Sequence, residues 1–209
     1  MNRREFLTAT AVGTVALAAY RVTPTLAQEA EATPDGYELI YEGQIVKAHR
    51  GFEADGLRTG AMMIDTIVAV FDSKKNAEKG FETSKEIIDK LIEKGEAEGS
   101  IVTVLNRDEL SAPKLGKKRH AESVDLEIDG TSVTMVIFRA QKDELLHVWS
   151  AIGLGSPAED LFNLTEKMKF EDVDPDKDDE LLALLPVLDD APVGMSLAEE
   201  EVTRESDED

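Results

Sequence analysis

The sequence predicts an α+β domain in which two main helices pack on one face of a mostly antiparallel sheet. Three observations predict this class. Short segments rich in strand-forming residues recur along the chain, three of them at the close spacing of a meander. Two further segments place apolar residues at helical spacing, and the last forty residues are strongly acidic. The chain has 209 residues, 42% of them hydrophobic, which is enough for one domain with its own core.

The first half of the domain alternates strand and helix. Residues 37–46 are rich in strand formers, and residues 64–71 are apolar on both faces, which is typical of a central strand. A helix then begins after a cap at Asp72 or Ser73 and carries an apolar stripe. Gly95 ends this helix, because glycine readily adopts the left-handed conformation of a C-terminal cap.

The second half begins with a strand at 101–105 and continues as a three-stranded meander. Residues 121–128 alternate apolar and polar side chains, and residues 131–140 and 144–152 follow after very short connections. The first connection contains Gly130, and a residue that tolerates positive φ is what a tight hairpin turn requires. These segments therefore predict antiparallel neighbours.

The second main helix is expected to begin after Ser156. Ser156 is the predicted cap, Pro157 suits the first helical position, and Glu159 can reach back to the backbone of the cap. We expect residues 171–209 to comprise an acidic linker, a short apolar helix at 181–185 and a disordered tail. The leucines of that helix are expected to dock on an open sheet face.

The N-terminus predicts export from the cytoplasm. Arg3 and Arg4 precede Phe6 and Leu7, and a short, weakly apolar stretch follows up to a small-residue cleavage site at Ala27. An arginine pair in this context resembles a twin-arginine export signal. We therefore expect residues 1–27 to be a signal peptide, 28–36 a flexible segment and 37–170 the folded domain. The apolar stretch is short for a membrane span, so no stable anchor is expected after cleavage.

The composition excludes several classes of function. The chain has no cysteine, which rules out thiol nucleophiles, disulfides and cysteine-ligated metal centres, and no cofactor is implied. The formal net charge is −21, with 44 acidic and 23 basic side chains. A surface of that sign repels phosphate backbones and anionic lipid, so we expect no binding to nucleic acid.

The element order resembles that of the PsbP-like group of small extracytoplasmic α+β domains. The resemblance rests on this order and on Leu115 and Gly116 leading into a meander that ends at Phe138 and Arg139, and it covers about residues 37–170. It implies a domain that binds or stabilises partners without catalytic residues. It carries over no functional residue.

Two sets of residues are candidates for ligand binding. His147 and Trp149 lie two apart in a predicted strand, so their side chains share one face. Lys117, Lys118 and Arg119 belong to the densest basic stretch of the chain and are suited to an anionic ligand or to the acidic tail. The alternative interpretations are a buried histidine beside an aromatic ring and an exposed loop of screened charges.

The acidic linker also contains a weak calcium candidate. Asp172, Asp174, Asp176 and Asp178 alternate like the start of a calcium-binding loop, but the glycine and the final glutamate of that loop are missing. A solvated acidic linker is the alternative interpretation, and we assign no metal.

We therefore expect an exported, non-catalytic domain that binds an unknown protein or small ligand in the periplasm or outside the cell. The expected partners are the twin-arginine export machinery and this unidentified protein or small ligand. Two alternatives remain open at this stage. One is an envelope hydrolase that uses carboxylates and His147, and the other is a purely structural envelope protein.

Overall fold

The protein folds around one seven-stranded antiparallel sheet. A computed structural model describes residues 43–55, 59–86, 88–89, 92–93, 101–128, 130–168 and 170–204. The strands are β1 (Gln44–Ala54), β2 (Gly60–Phe71), β3 (Val102–Leu110), β4 (Lys118–Ile128), β5 (Thr131–Lys142), β6 (Leu145–Leu154) and β7 (Met195–Arg204). Their order across the sheet is β3-β4-β5-β6-β2-β1-β7.

Three short α-helices accompany this sheet in the described residues: α1 (Lys74–Thr83), α2 (Ala158–Thr165) and α3 (Asp178–Leu182). Short 3-10 turns at Ser84–Glu86 and Leu188–Asp190 add little to them. None of these helices is long and apolar enough to span a membrane, and that statement covers only the residues just given.

The meander was predicted correctly, because its turns are encoded locally. β3 to β6 pair consecutively and antiparallel, and the β4–β5 and β5–β6 registers run without interruption. Gly130 has a φ of 79° in the first turn and Asp143 a φ of 52° in the second. Glycine adopts this conformation without strain and aspartate more readily than most residues, so both turns have suitable chemistry.

α1 covers one face of the sheet, here called the α1 face. Ala77 and Phe81 of the helix are buried against side chains such as Leu146 and Ile137 in a single apolar cluster. Ser73 caps the helix, since its side chain accepts a hydrogen bond from the backbone N–H of Asn76 at 3.3 Å. Regular α-helix ends at Thr83, where the Ser84 hydroxyl donates to the Phe81 carbonyl and competes with the helical pattern.

α2 and α3 cover the opposite face, here called the α2 face. Leu161 and Leu164 of α2 pack with Trp149 and Ile64, whereas Leu181 of α3 packs with Val68 farther along the sheet. The cap of α2 is Pro157 and makes no side-chain hydrogen bond, so the cap predicted at Ser156 is wrong.

The predicted α+β class is therefore wrong, because the molecule is largely β. A single seven-stranded sheet dominates it, and α2 extends over only eight residues. The two main helices also lie on opposite faces rather than on one. The physical reason is that β2, β5 and β6 are buried on both faces, so each face needs its own cover.

The acidic C-terminal region contributes to this core. Leu181, Leu184 and Leu185 are buried against β1 and β2, as expected for docking on an open face. The chain then forms β7, which pairs with β1 along nine residues and which the sequence did not predict. Arg50 joins the two parts, because its guanidinium donates to the carbonyl of Pro186 at 2.7 Å and to Glu200 at 2.6 Å.

Some of the predictions fall on other parts of the chain. The signal residues Arg3, Arg4, Phe6 and Leu7 and the cleavage site at Ala27 lie outside the described residues, as does the segment 28–36.

Candidate ligand-binding site

Five rings form an aromatic cluster on the α2 face. Phe138 on β5 and Trp149 on β6 are direct cross-strand neighbours and stack with ring centroids 5.0 Å apart. His147 lies two residues before Trp149, so strand alternation brings both rings to the same face, 4.9 Å apart. Phe162 of α2 meets Phe138 edge-on at 6.3 Å, and Phe170 lies 4.5 Å from His147.

His147 is buried completely and is held as a neutral ring. Burial in this apolar cluster disfavours the charged imidazolium and lowers the pKa of His147 from 6.5 to about 3. Neither ring nitrogen has a hydrogen-bond partner among the described residues. The indole Nε1 of Trp149, the adjacent ring, is also buried without one. Three unsatisfied polar atoms in one apolar cluster are unusual, because each costs free energy in the folded state.

A groove beside this cluster collects positive charge. Its volume is ≈ 490 Å³, and its wall includes the lysines Lys114, Lys117 and Lys142, one carboxylate, Glu171, and the apolar side chains of Met168 and Phe170. We call it the lysine groove. Lys142 donates to the Phe170 carbonyl at 3.3 Å, and Lys117 forms an ion pair with Asp143. Lys114 is exposed and has neither a hydrogen bond nor an ion pair with any described residue.

Gly116 shapes the floor of the lysine groove. Its φ is 72°, a conformation that other residues adopt only with strain. A Cβ at this position would lie 2.9 Å from the Gln141 carbonyl oxygen and 3.1 Å from the ring of Phe170. The absence of a side chain therefore allows Phe170 to approach the start of β4.

Phe170 separates the lysine groove from a second one. The second groove, here called the side groove, has a volume of ≈ 310 Å³ and a mixed lining, with apolar side chains such as Val70 and Leu145 and charged ones such as Glu144 and Asp172. Phe170 lines both grooves and also packs on His147. It is only partly buried and lies in a segment without regular secondary structure. The ring therefore forms the wall between the two grooves and the aromatic cluster.

The structure brings together only some of the predicted site residues. His147 and Trp149 share the aromatic cluster, and Lys117 lies in the adjoining groove. Lys118 points to the α1 face, where it forms an ion pair with Glu78 at 3.3 Å. Arg119 is exposed and lies opposite Ala140, which in turn lies opposite His147. Of the predicted basic residues, Lys117 is thus the one that lines the groove.

The acidic linker residues have partners within the chain. Asp174 accepts a hydrogen bond from the backbone of Asp176, and Asp178 forms an ion pair with Arg204. Lys177 is within 3.5 Å of Asp174. Asp172 lines the side groove. In the described part of the chain, no group of three or more His, Asp or Glu side chains is placed to hold a metal ion.

A separate set of buried polar side chains lies on the α1 face. His49 contacts Asp65 at 3.1 Å, and Arg139 donates to Glu122 at 2.7 Å. Ser150 is the cross-strand neighbour of Asp65, but His49 lies on the other side of that carboxylate, in β1. This order is not that of a serine–histidine–carboxylate triad, in which the histidine stands in the middle.

Sequence reasoning missed Phe170 and Lys142 as parts of the site. Phe170 is an aromatic residue at the entrance of a very acidic segment, and that contrast is the one signal it carries. Lys142 lies in the short connection between the predicted strands 131–140 and 144–152, a position that does not indicate a binding role. Nothing local in the sequence relates either residue to His147, because the contacts depend on how the segment after α2 returns across the sheet.

Comparison with known proteins adds little to this geometry. No family model matches the chain, and no curated protein matches it. One solved structure is similar in part: a Pseudomonas aeruginosa protein of unknown function, at 9% identity, with a TM-score of 0.27 over 56% of this chain and 74% of that one.

Proposed function

We propose that this chain is an exported, non-catalytic binding domain and that it binds a small organic anion in the lysine groove. The observation that carries the proposal is the convergence of Lys114, Lys117 and Lys142 on one groove in a chain whose net charge is −21. An acidic protein that concentrates cations at a concave site attracts anions there and repels them elsewhere.

The groove supports a small ligand better than a large one. Its ≈ 490 Å³ lies within the range of small-molecule sites. Met168 and Phe170 offer apolar surface beside the ammonium groups. A ligand with one anionic group and a short apolar part matches this combination. Lys114 is the strongest contributor, because it is exposed, whereas Lys117 is paired with Asp143 and Lys142 donates to the Phe170 carbonyl; the one carboxylate in the wall, Glu171, leaves the three lysines in excess.

The chemistry around His147 favours binding over hydrolysis. A general base needs a proton acceptor within hydrogen-bond reach of the reacting group and a pKa near the working pH. His147 is buried among aromatic rings, with its pKa lowered to about 3. The buried carboxylates of Asp65 and Glu122 lie on the opposite face of the sheet, beside the α1 cluster. No described carboxylate is hydrogen-bonded to the His147 ring.

The test is an NMR titration with butyrate and with inorganic phosphate as probes. We expect butyrate to shift the backbone amides of Gly116 and Lys117, and added salt to weaken the interaction because it screens exposed charges. The double substitution Lys114→Glu and Lys117→Glu should abolish these shifts. Lys85→Glu is the matched control. Lys85 lies in the 3-10 turn that follows α1, forms an ion pair with Glu82 and does not line the groove.

Two results would contradict the proposal. If neither butyrate nor phosphate shifts these amides, the groove does not bind small anions and a purely structural role becomes the better explanation. If Lys85→Glu weakens binding as much as the double substitution does, the attraction comes from overall charge rather than from the groove.

A further inference from the structure

The unsatisfied polar atoms of the aromatic cluster belong to two adjacent rings, those of His147 and Trp149. A neutral imidazole always presents one N–H donor and one acceptor, and the indole of Trp149 adds a second donor. All three atoms are buried without partners, and the two rings are 4.9 Å apart. Phenylalanine at position 147 would avoid this cost, so the polar rings are explained best by a ligand that satisfies them.

The ring of Phe170 lies between His147 and the lysine groove. Phe170 packs on His147 and also lines the groove in which the three lysines converge. On its other side, the side groove of ≈ 310 Å³ offers apolar walls from Val70 and Leu145. A ring that leaves His147 can therefore contact these two apolar side chains, although charged residues such as Glu144 and Asp172 line the same groove.

From this arrangement we infer that the preferred ligand is a phenolic carboxylic acid whose ring displaces Phe170 and packs on His147 and Trp149. This inference rests on the proposed function, because the carboxylate binds the ammonium groups of the lysine groove. The incoming ring replaces the aromatic contact that Phe170 gives up, and Phe170 moves into the side groove.

The hydroxyl group of such a ligand suits the buried atoms. A phenol is both a donor and an acceptor, so it accepts a hydrogen bond from the Trp149 indole and donates one to the unprotonated nitrogen of His147. The ring fills an apolar, aromatic site and the carboxylate remains at the cationic rim. Aliphatic acids meet only the rim, and phenyl acids without the hydroxyl leave the buried atoms unsatisfied.

Three carboxylates test this inference: butyrate, 3-phenylpropionate and 3-(4-hydroxyphenyl)propionate. Trp149 is the one tryptophan of the chain, so its indole N–H gives a single NMR signal. We expect both aromatic acids to shift that signal and butyrate to leave it unchanged. Affinity should rise from butyrate to the phenyl acid and again, by about fivefold, to the phenol.

Two substitutions make the test specific. Phe170→Ala removes the ring that must be displaced, and we expect the affinity of both aromatic acids to rise about tenfold relative to that of butyrate. Met168→Ala is the matched control, because Met168 lines the same groove and is not one of the rings stacked on His147. His147→Phe keeps an aromatic ring and should reduce the preference for the phenol over the phenyl acid, because the hydroxyl then keeps only the hydrogen bond from the Trp149 indole.

The outcomes separate this inference from the proposed function. If butyrate shifts the Gly116 amide but no aromatic acid shifts the indole signal, the inference is overturned and the lysine groove remains a binding site. If the preference for the phenol is undiminished in His147→Phe, the His147 nitrogen does not recognise the hydroxyl and the inference is also overturned. If none of the three acids binds, the proposed function fails first.

Discussion

His147 is the residue at which burial has the clearest measurable consequence. The unfolded chain takes up a proton near pH 6.5, whereas the folded chain does so only near pH 3. Between these values the unfolded state binds more protons, so acid favours unfolding. Above pH 6.5 the protonation of His147 does not change the free energy of unfolding. Between pH 6.5 and pH 3 that free energy falls by about 1.4 kcal/mol for each pH unit.

The first prediction follows from that difference. His147→Phe should flatten the decline in stability between pH 6.5 and pH 3, and it should raise stability at pH 7 by about 1–3 kcal/mol because it removes the two unsatisfied ring nitrogens. Urea denaturation across this pH range measures both effects. His120→Gln is the control: His120 lies partly exposed beside Arg139 and Glu122, and its removal should leave most of the slope. If the free energy of unfolding depends on pH in His147→Phe as it does in the unchanged protein, the pH dependence does not come from His147.

Arg50 is the residue that ties the C-terminal region to the sheet. It donates to the carbonyls of Leu185 and Pro186 and to Glu200, and its side chain is only 9% exposed. We predict that Arg50→Met destabilises the fold by about 2–4 kcal/mol, because it leaves these acceptors without their donor. Arg204→Met should cost less than about 1 kcal/mol, since Arg204 binds Asp178 in solvent. If Arg50→Met and Arg204→Met lower the free energy of unfolding equally in urea denaturation, Arg50 does not hold the C-terminal region on the sheet.

At the scale of the element, the two main helices begin differently. The Ser73 side chain caps α1, whereas α2 begins at Pro157 without a side-chain cap. We predict that Ser73→Ala costs about 1 kcal/mol and that Ser156→Ala stays within about 0.5 kcal/mol. Thermal or urea denaturation of the two variants decides this. The reverse ranking would restore the cap that the sequence indicated.

α3 is a five-residue helix that cannot exist without docking, since so short a helix is unstable alone. Leu181 is fully buried against Val46 and Val68 in its cluster. We predict that Leu181→Ala lowers stability by about 2–5 kcal/mol. Leu197→Ala, on the edge strand β7, is the matched control: this side chain is 47% exposed, and its loss should change stability by less than about 0.5 kcal/mol. A neutral Leu181→Ala would mean that α3 is not part of the core.

At the scale of the whole molecule, the export prediction concerns where the protein works. We expect the double substitution Arg3→Lys and Arg4→Lys to retain the protein inside the cell, because the twin-arginine route reads the arginine pair rather than positive charge. Arg21→Lys is the control and should be exported normally. Cell fractionation measures both variants. Normal export of the double variant would show that the leader is read by another route.

The sequence by itself determined the features that depend on neighbouring residues. Alternation identified β4, two-sided apolar runs identified the central β2, and Gly130 together with the very short connections defined the meander. The leucines at 181–185 also predicted a segment that docks on the sheet. These features are local, because side-chain alternation and turn conformation follow from a few consecutive residues.

Tertiary structure decided the rest. The helices divide between the two faces of the sheet, and β7 pairs with β1 across some 150 residues of chain, a separation that no periodicity records. The aromatic cluster and the lysine groove depend on the same long-range packing: Phe170 meets His147 because the segment after α2 returns over the end of β5 and β6. Such contacts form where the whole chain buries its apolar surface best, and a local pattern cannot specify that optimum.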